Sequence, residues 1–323
     1  MPAKSPAPVR WPRHRSQHFS HLYPVNRAYL ELHIAVLLYG LTAVLGEMLS
    51  LSALPLVWWR VGLASLCFVP LVYLSRRKRF SPPRSTYFAL AGIGCIIALH
   101  WVTFYGAIKL ANASVALVCF ACTSLLTSLI EPILLKKPFD WLDIGLGALV
   151  IPGMVLIIGI VDSQYYLGIG VGLLSAFLAA VFSTLNKRYV AEIQPIDMSA
   201  IQMTAAFVFL SVGYPVLKQV DMGASSFWPI ASDWWVLAIL VLGCTVFAYV
   251  LTMRSLRHIS AFSSNLAISL EPVYGILLAA LFLNHTEILR PEFYLGSILL
   301  FAAVLAHPVL SRRRRRKLAP PAA

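Results

Sequence analysis

Residues 113–135 read ASVALVCFACTSLLTSLIEPILL, and residues 261–283 read AFSSNLAISLEPVYGILLAALFL. Each stretch contains one acidic residue and no basic residue. A helix needs about 20 residues to cross a hydrocarbon core of ~30 Å, so both stretches are long enough. Continuous apolar segments of this length predict membrane-spanning helices.

The rest of the chain has the same character. Hydrophobic residues make up 59% of the 323 positions and charged residues 12%, whereas soluble domains average roughly 45–50% and about 25%. We predict an all-α integral membrane protein with ten transmembrane helices and no room for a separate soluble domain. The predicted spans are residues 29–49, 54–74, 87–107, 113–135, 142–160, 167–187, 198–217, 234–253, 261–283 and 293–310.

The positions of the basic residues test this count. The net charge of +13 could suggest nucleic-acid binding, but the basic residues lie between apolar segments and at the ends of the chain. Cytoplasmic loops of membrane proteins carry the excess of lysine and arginine. If both termini are cytoplasmic, most of the 26 basic residues fall on that side, and only Lys109, Lys218 and Arg290 fall outside. We therefore expect a multi-pass protein of the cell (inner) membrane, and no nucleic-acid partner.

The two quoted stretches also reveal an internal repeat. Aligning Ala113 with Ala261 superposes the fourth span on the ninth, at an offset of 148 positions. Because each half has five spans, the second half must enter the membrane in the opposite orientation. Inverted repeats are typical of transporters that bind substrate near the midplane. The predicted organisation is a basic tail (1–27), a first repeat (28–160), a second repeat (165–310) and a second basic tail (311–323).

An ordered set of short motifs resembles the ten-helix drug/metabolite transporters built of two EamA-type repeats. The motifs are Tyr39-Gly40, Leu54-Pro55, Trp59-Arg60-Val61-Gly62, residues 113–153, Leu242-Gly243-Cys244-Thr245, residues 269–275 and Tyr294-Leu295-Gly296. The resemblance implies a small-molecule substrate, no cofactor, and a cavity lined by the first, third, fourth, sixth, eighth and ninth spans. Similar proteins are thought to export amino acids or other small metabolites, and relatives in the wider superfamily carry nucleotide sugars. One departure is Asn284-His285, where the family usually has Gly-Glu.

Three ionisable residues stand out deep within the predicted spans, where a charge is costly and calls for a reason: Arg60, His100 and Glu271. Glu271-Pro272 is the strongest candidate, because proline frees backbone carbonyls beside a carboxylate near the middle of the membrane. Glu271 then binds a substrate amine or a proton, or else it only serves packing. Its repeat mate is Thr123. Arg60 either binds a substrate carboxylate or stabilises the fold.

Aromatic and polar residues on other spans complete the candidate site. His100, Trp101, Phe104 and Tyr105 share one helical face, which either lines a cavity or belongs to the interfacial aromatic belt. The resemblance adds polar cavity-wall candidates: Tyr39, Tyr249, Asn265 and Tyr274.

Other patterns favour simpler interpretations. Cys119-x-x-Cys122 has no second Cys or His pair beside it, so we expect no metal. Gly168-x-x-x-Gly172 serves either packing within the chain or a homodimer. An integral membrane enzyme acting on lipid would need clustered acids or histidines at one membrane face, whereas those found here are scattered over different spans. We therefore expect a transporter and not an enzyme.

The topology can be tested with reporter fusions after Lys109, Lys218 and Arg290. All three should report an external position, because these loops lie on the side poor in basic residues. A fusion after Arg188 is the matched cytoplasmic control. One external loop that reports as cytoplasmic would contradict the ten-span topology.

Overall fold

The structure is a computed structural model, and it describes residues 25–75, 83–158, 163–220, 226–283 and 291–318. Within these ranges the chain is helical and contains no strand. The helices are α1 Val25–Met48, α2 Ala53–Leu74, α3 Arg84–Leu110, α4 Ala113–Ala121, α5 Thr123–Leu135, α6 Trp141–Ile158, α7 Tyr166–Tyr189, α8 Pro195–Leu217, α9 Asp233–Val241, α10 Ala248–Leu256, α11 Ala261–Ile268, α12 Glu271–Leu283 and α13 Pro291–Leu318.

These helices form ten spans, which confirms the predicted fold class. Three spans are composite: α4 continues into α5, α9 continues through a π-helical segment (Leu242–Phe247) into α10, and α11 continues into α12. Eight spans are long and apolar enough to cross a bilayer when each is judged as one helix. The other two are the shorter α6 and the broken α11–α12 pair. The last helix extends beyond the predicted span and includes the basic run at 312–317.

The fourth and ninth spans are built alike, as the internal repeat requires. The Asn112 side chain caps α4 by accepting from the Val115 amide, and the Ser260 side chain caps α11 by accepting from the Ser263 amide. After the break, α5 restarts at Thr123 and α12 restarts at Glu271. Each of these pairs is separated by the same 148 positions. The alignment deduced from two stretches of sequence therefore extends to the capping and the break of both spans.

The helix contacts follow an approximate two-fold symmetry that relates the two halves. The contact of α1 with α12 is matched by that of α7 with α5, and the contact of α1 with α10 is matched by that of α7 with α3. Likewise α3 packs on α8, and α2 packs on α9. The pairs α2–α8, α5–α11 and α6–α13 join corresponding spans of the two halves. The repeats are therefore interleaved around a shared centre.

Polar and apolar residues are distributed as a lipid environment requires. Leu66, Phe88 and Val212 have 70–78% of their surface exposed on the outside of the bundle. Charged and amide side chains are buried between the helices, among them Arg60 and Glu271. Because lipid cannot form hydrogen bonds with such groups, the interior is the only place within the membrane where they can be satisfied.

The two faces of the bundle are each tied together by bonds between the halves. At the face where α1 begins, called the basic face, the Phe262 amide donates to Glu131 (2.9 Å), and Ser255 Oγ donates to the Ala28 carbonyl (2.8 Å). Glu131 is buried and also pairs with Lys137 at 2.8 Å. At the opposite face, Ser50 Oγ donates to Asp233 Oδ2 at 2.6 Å. The centre of the bundle thus lies between two sets of hydrogen bonds that join the halves, one at each face.

Glycines allow the closest helix contacts. Gly168 and Gly172 of α7 face Ala111 and Cys119 of the first half, so this motif packs within the chain. Gly40 of α1 faces Gly275 of α12 so closely that an added Cβ would lie 2.8 Å from the Gly275 backbone nitrogen. Backbone atoms cannot rotate away as a flexible side chain can. This contact therefore depends on the absence of a side chain.

We expect Gly40→Ala to destabilise the protein by about 1–3 kcal/mol, because the new methyl group must push α1 and α12 apart. The measurement is thermal unfolding of the purified protein in detergent. Gly92→Ala is the matched control, since a Cβ at Gly92 would meet nothing within 4 Å. Equal unfolding temperatures for the two variants would contradict the close approach.

Candidate functional site

A small cavity of about 80 Å³ lies at the centre of the bundle, between the two halves. Its walls come from the six spans that the resemblance implies, together with Arg60 of the second span. The lining residues are Tyr39, Thr42, Arg60, His100, Trp101, Phe104, Phe120, Ala179, Phe182, Ser183, Tyr249, Thr252, Met253, Leu256, Ser264, Asn265, Ile268 and Glu271.

Arg60 is held rigidly at the wall of this cavity. Its guanidinium carbon lies 3.9 Å from the centroid of the Trp101 ring, a stacked cation–π geometry. Its Nε donates to Thr245 Oγ1 (2.7 Å), and one terminal nitrogen donates to Tyr105 Oη (2.8 Å). A guanidinium has five N–H donors, so these bonds, with a longer one of 3.4 Å to the Cys244 carbonyl, leave two for a ligand.

Glu271 is the acidic group of the cavity. It is the first residue of α12 and is only 4% exposed. Among the described residues, its carboxylate forms no hydrogen bond and no ion pair within 4.0 Å, although the charge of Arg60 acts on it. Pro272 cannot donate a hydrogen bond to the carbonyl of Ile268, four residues earlier, because proline has no N–H. The break in the ninth span therefore leaves the Ile268 carbonyl without its usual helical donor, next to the Glu271 carboxylate in sequence.

His100 is anchored from its Nδ1 side. That nitrogen lies 3.0 Å from the Ser175 carbonyl and 2.9 Å from Ser175 Oγ. The imidazole ring stacks on Phe120, with ring centroids 5.4 Å apart, and also contacts Phe182. The anchoring leaves Nε2 as the nitrogen of His100 that is available to a ligand.

Tyr249 is fixed by a closed ring of hydrogen bonds. Its hydroxyl donates to Gln202 Oε1 (2.7 Å), Gln202 Nε2 donates to Asn186 Oδ1 (2.7 Å), and Asn186 Nδ2 donates back to the Tyr249 hydroxyl (3.0 Å). The three residues come from α10, α8 and α7. Tyr249 consequently offers the cavity its ring, since its hydroxyl proton is already used.

Two further polar side chains reach the cavity from opposite halves. The Tyr39 hydroxyl lies 2.9 Å from Thr252 Oγ1. Thr252 donates its proton to the Ala248 carbonyl, so Tyr39 is the donor of this pair. Asn265 of α11 donates two hydrogen bonds, one to Thr127 and one to Ser183.

The cavity brings together seven of the ten predicted site residues: Tyr39, Arg60, His100, Trp101, Tyr249, Asn265 and Glu271. Tyr105 is fully buried behind the wall and bonds to Arg60. Thr123 is buried at the α4–α5 break and does not line the cavity, and its hydroxyl has no hydrogen-bond partner in the part of the chain that the structure describes. Tyr274 lies apart from the cavity, packed against Phe301 with its hydroxyl 3.5 Å from His33 Nδ1.

Several residues that shape the site are not predictable from the patterns in the sequence described above. Some line the cavity directly and others hold its lining in place: Thr42, Phe120, Phe182, Ser183, Thr252, Asn186, Gln202 and Thr127. Asn186 and Gln202 carried a usable signal, because an amide within an apolar span requires a partner. Serine and threonine carry no such signal, since they can bond to the backbone of their own helix.

A larger concavity of about 1020 Å³ lies on the outer surface between α2, α3 and α8. Its lining is mostly apolar, with Asp197 as the single charged residue. The smaller central cavity carries the buried charges and the ordered hydrogen bonds, and is therefore the candidate site. In the described part of the chain, no group of three His, Cys, Asp or Glu side chains forms a metal site.

Comparison with protein families identifies the chain. The model of the EamA-like transporter family matches it twice, over residues 26–159 and 166–306. The protein belongs to the EamA-like transporter family. The two matches correspond to the two five-span halves, so each half is one EamA repeat and the central cavity lies between them.

One solved crystal structure has a similar fold. It aligns with a TM-score of 0.70 over 89% of this chain and 98% of the other, with 16% of residues identical. At this identity the similarity concerns the fold alone. No curated protein matches the chain.

We expect Arg60→Lys to destabilise this EamA protein by about 2–3 kcal/mol, since lysine keeps the charge but loses the planar donors and the stacking on Trp101. Thermal unfolding in detergent measures the effect. Arg188→Lys, at an exposed position near the end of α7, should change little. An Arg60→Lys protein as stable as wild type would mean that the observed bonds to Arg60 contribute nothing.

Proposed function

We propose that this EamA transporter exports a small metabolite, such as an amino acid, by alternating access, and that protons drive the export through Glu271. The observation that carries the proposal is the central cavity, in which Glu271 is buried near the fixed guanidinium of Arg60 and forms no hydrogen bond with the described residues. Buried charges of this kind in membrane proteins commonly mark substrate or proton pathways.

An amino acid matches the chemistry of the cavity wall. The remaining N–H groups of Arg60 suit the substrate carboxylate, and the oxygens of Glu271 suit its ammonium group. Phe104, Phe120 and Phe182 supply an apolar surface for the side chain. The cavity of about 80 Å³ favours a small metabolite over a nucleotide sugar. A lipid-modifying enzyme is disfavoured because Glu271, His100 and Arg60 face an interior cavity and not a membrane face.

Two sets of hydrogen bonds between the halves support alternating access. They join the halves at Glu131 and Ser255 on the basic face and at Ser50 on the opposite face. In this mechanism the substrate leaves the cavity toward the face whose bonds open. Because the two repeats are related by approximate two-fold symmetry, opening toward one face and opening toward the other would move corresponding helices. Proton coupling then requires that a proton and the substrate ammonium occupy Glu271 in turn.

The substrate can be identified by comparing metabolites in the medium of cells that overexpress the protein with those of cells that lack it. An exported amino acid should accumulate in the first culture and fall in the second. Equal profiles for every amino acid would contradict this substrate class. Enrichment of a nucleotide sugar would support the alternative within the wider superfamily.

Glu271→Gln tests the proton coupling. The variant keeps the size of the side chain but cannot take up or release a proton, so we expect export to fall at least about ten-fold and to lose its dependence on pH. Export is measured at several pH values in cells with matched expression. Glu292→Gln, at an exposed position in α13, is the control and should retain the wild-type profile. An unchanged rate and pH profile in Glu271→Gln would remove Glu271 from coupling.

A further inference from the structure

We infer that Asn265 is a specificity-determining residue whose Oδ1 atom, together with the Glu271 carboxylate, accepts hydrogen bonds from an ammonium group that carries N–H donors. We call these two groups the acceptor pair. The inference deepens the proposed function, on which it rests for the identification of the cavity as a substrate site. It assigns the chemistry by which the cavity distinguishes a primary ammonium from a fully methylated one.

The direction of the Asn265 amide follows from its neighbours. Its Nδ2 atom donates to Thr127 Oγ1 and to Ser183 Oγ, each at 2.7 Å. Thr127 donates its own proton to the Thr123 carbonyl (2.7 Å), and Ser183 donates to the Ala180 carbonyl (3.2 Å). Each hydroxyl has only one proton, so both can only accept from Asn265. The amide nitrogen therefore faces these hydroxyls, because the reversed amide would require both hydroxyls to give up their bonds to the backbone and to donate to Oδ1 instead.

This arrangement leaves Oδ1 for the cavity. Asn265 lines the cavity and is 4% exposed. No donor among the described residues reaches its Oδ1 atom, and this atom is not fully buried. A ligand or a water molecule in the cavity can therefore reach it. A carbonyl oxygen in such a place needs a donor from a ligand or from water, because an unsatisfied buried acceptor costs free energy.

Glu271 supplies the second acceptor from the other side of the break in the ninth span. The two residues are six positions apart, one in α11 and one at the start of α12, and both line the same small cavity. The C-terminal end of α11 adds partial negative charge. A primary ammonium has three N–H donors, so it can bond to more than one acceptor oxygen of the same cavity.

The other titratable groups around the cavity restrict the ligand further. Arg60 is the one cation among the lining residues, and His100 adds a ring that is anchored at Nδ1. The positive charge of Arg60 weakens the binding of every simple ammonium ion beside Glu271 to a similar extent, whether or not the ion is methylated. A molecule that carries both an ammonium group and a carboxylate satisfies the acceptor pair and Arg60 together.

Methylation of the ammonium removes what the acceptor pair recognises. A tetramethylated nitrogen keeps its charge and is still attracted by Glu271, but it has no N–H for Oδ1. Sites built to bind an N–H or O–H group discriminate strongly against analogues that lack it, because the site's own polar atoms stay unpaired. Leucine at position 265 has nearly the shape of asparagine and offers no acceptor, so it should remove the discrimination and leave any preference for size.

The test measures binding of methylammonium, trimethylammonium and tetramethylammonium chlorides to the purified full-length protein, from the rise of its unfolding temperature at equal ionic strength. We expect wild type to bind methylammonium at least about ten-fold more tightly than tetramethylammonium, with trimethylammonium between them. Asn265→Leu should reduce this ratio to about three-fold or less. Asn26→Leu, at an exposed asparagine in α1, is the matched control and should keep the wild-type ratio.

A second variant covers the case in which Asn265→Leu fails to fold. Thr127→Val removes one anchor of the amide with little change of shape, and it should lower the ratio while methylammonium still binds. Equal binding of the three salts by wild type, or an unchanged ratio in both Asn265→Leu and Thr127→Val, would overturn the inference. Because binding is read without transport, discrimination by a protein that exports no amino acid would support the acceptor pair and reject only the proposed substrate.

Discussion

The hydrocarbon core of the membrane offers no hydrogen-bond partners, and the rest of this structure depends on that constraint. Polar side chains at membrane depth therefore turn inward, and most of them find partners on other helices or on the backbone of their own helix. Apolar side chains such as Phe88 and Val212 are left to face the lipid. The centre of the bundle becomes the polar part of the protein, and the cavity between the repeats is the part of that centre which the chain itself does not fill.

Within this centre, most polar groups are saturated and a few are not. The ring of Asn186, Gln202 and Tyr249 uses its own donors and acceptors to join three helices. Arg60 and Asn265 are different. Their bonds to the protein fix their orientation, but Arg60 keeps N–H groups and Asn265 keeps an oxygen that can bind a ligand. Groups whose donors and acceptors are all used within the protein make the cavity rigid. Groups with a donor or acceptor left over can bind a ligand. Rigid placement of the unsaturated groups is what makes selective binding possible.

The break in the ninth span links the repeat to this chemistry. Its mate in the fourth span has the same cap and the same restart point, but there the chain places Thr123 where the ninth span places Glu271. One half thus contributes a buried hydroxyl and the other a carboxylate. The backbone symmetry is what the proposed alternating access requires, while the difference in side chains places the carboxylate in one half only.

The sequence by itself determined the ten spans, the inverted repeat and the buried ionisable residues, because span length, loop charge and the cost of a charge in lipid act locally along the chain. It also indicated seven cavity residues, yet it grouped Tyr274 and Thr123 with them. Helical periodicity shows which residues share a face, but not which neighbouring span that face meets. Only the tertiary structure decided that Tyr274 packs toward Phe301, that Thr127 and Ser183 orient Asn265, and that Asn186 and Gln202 hold Tyr249, since these contacts join residues distant in sequence.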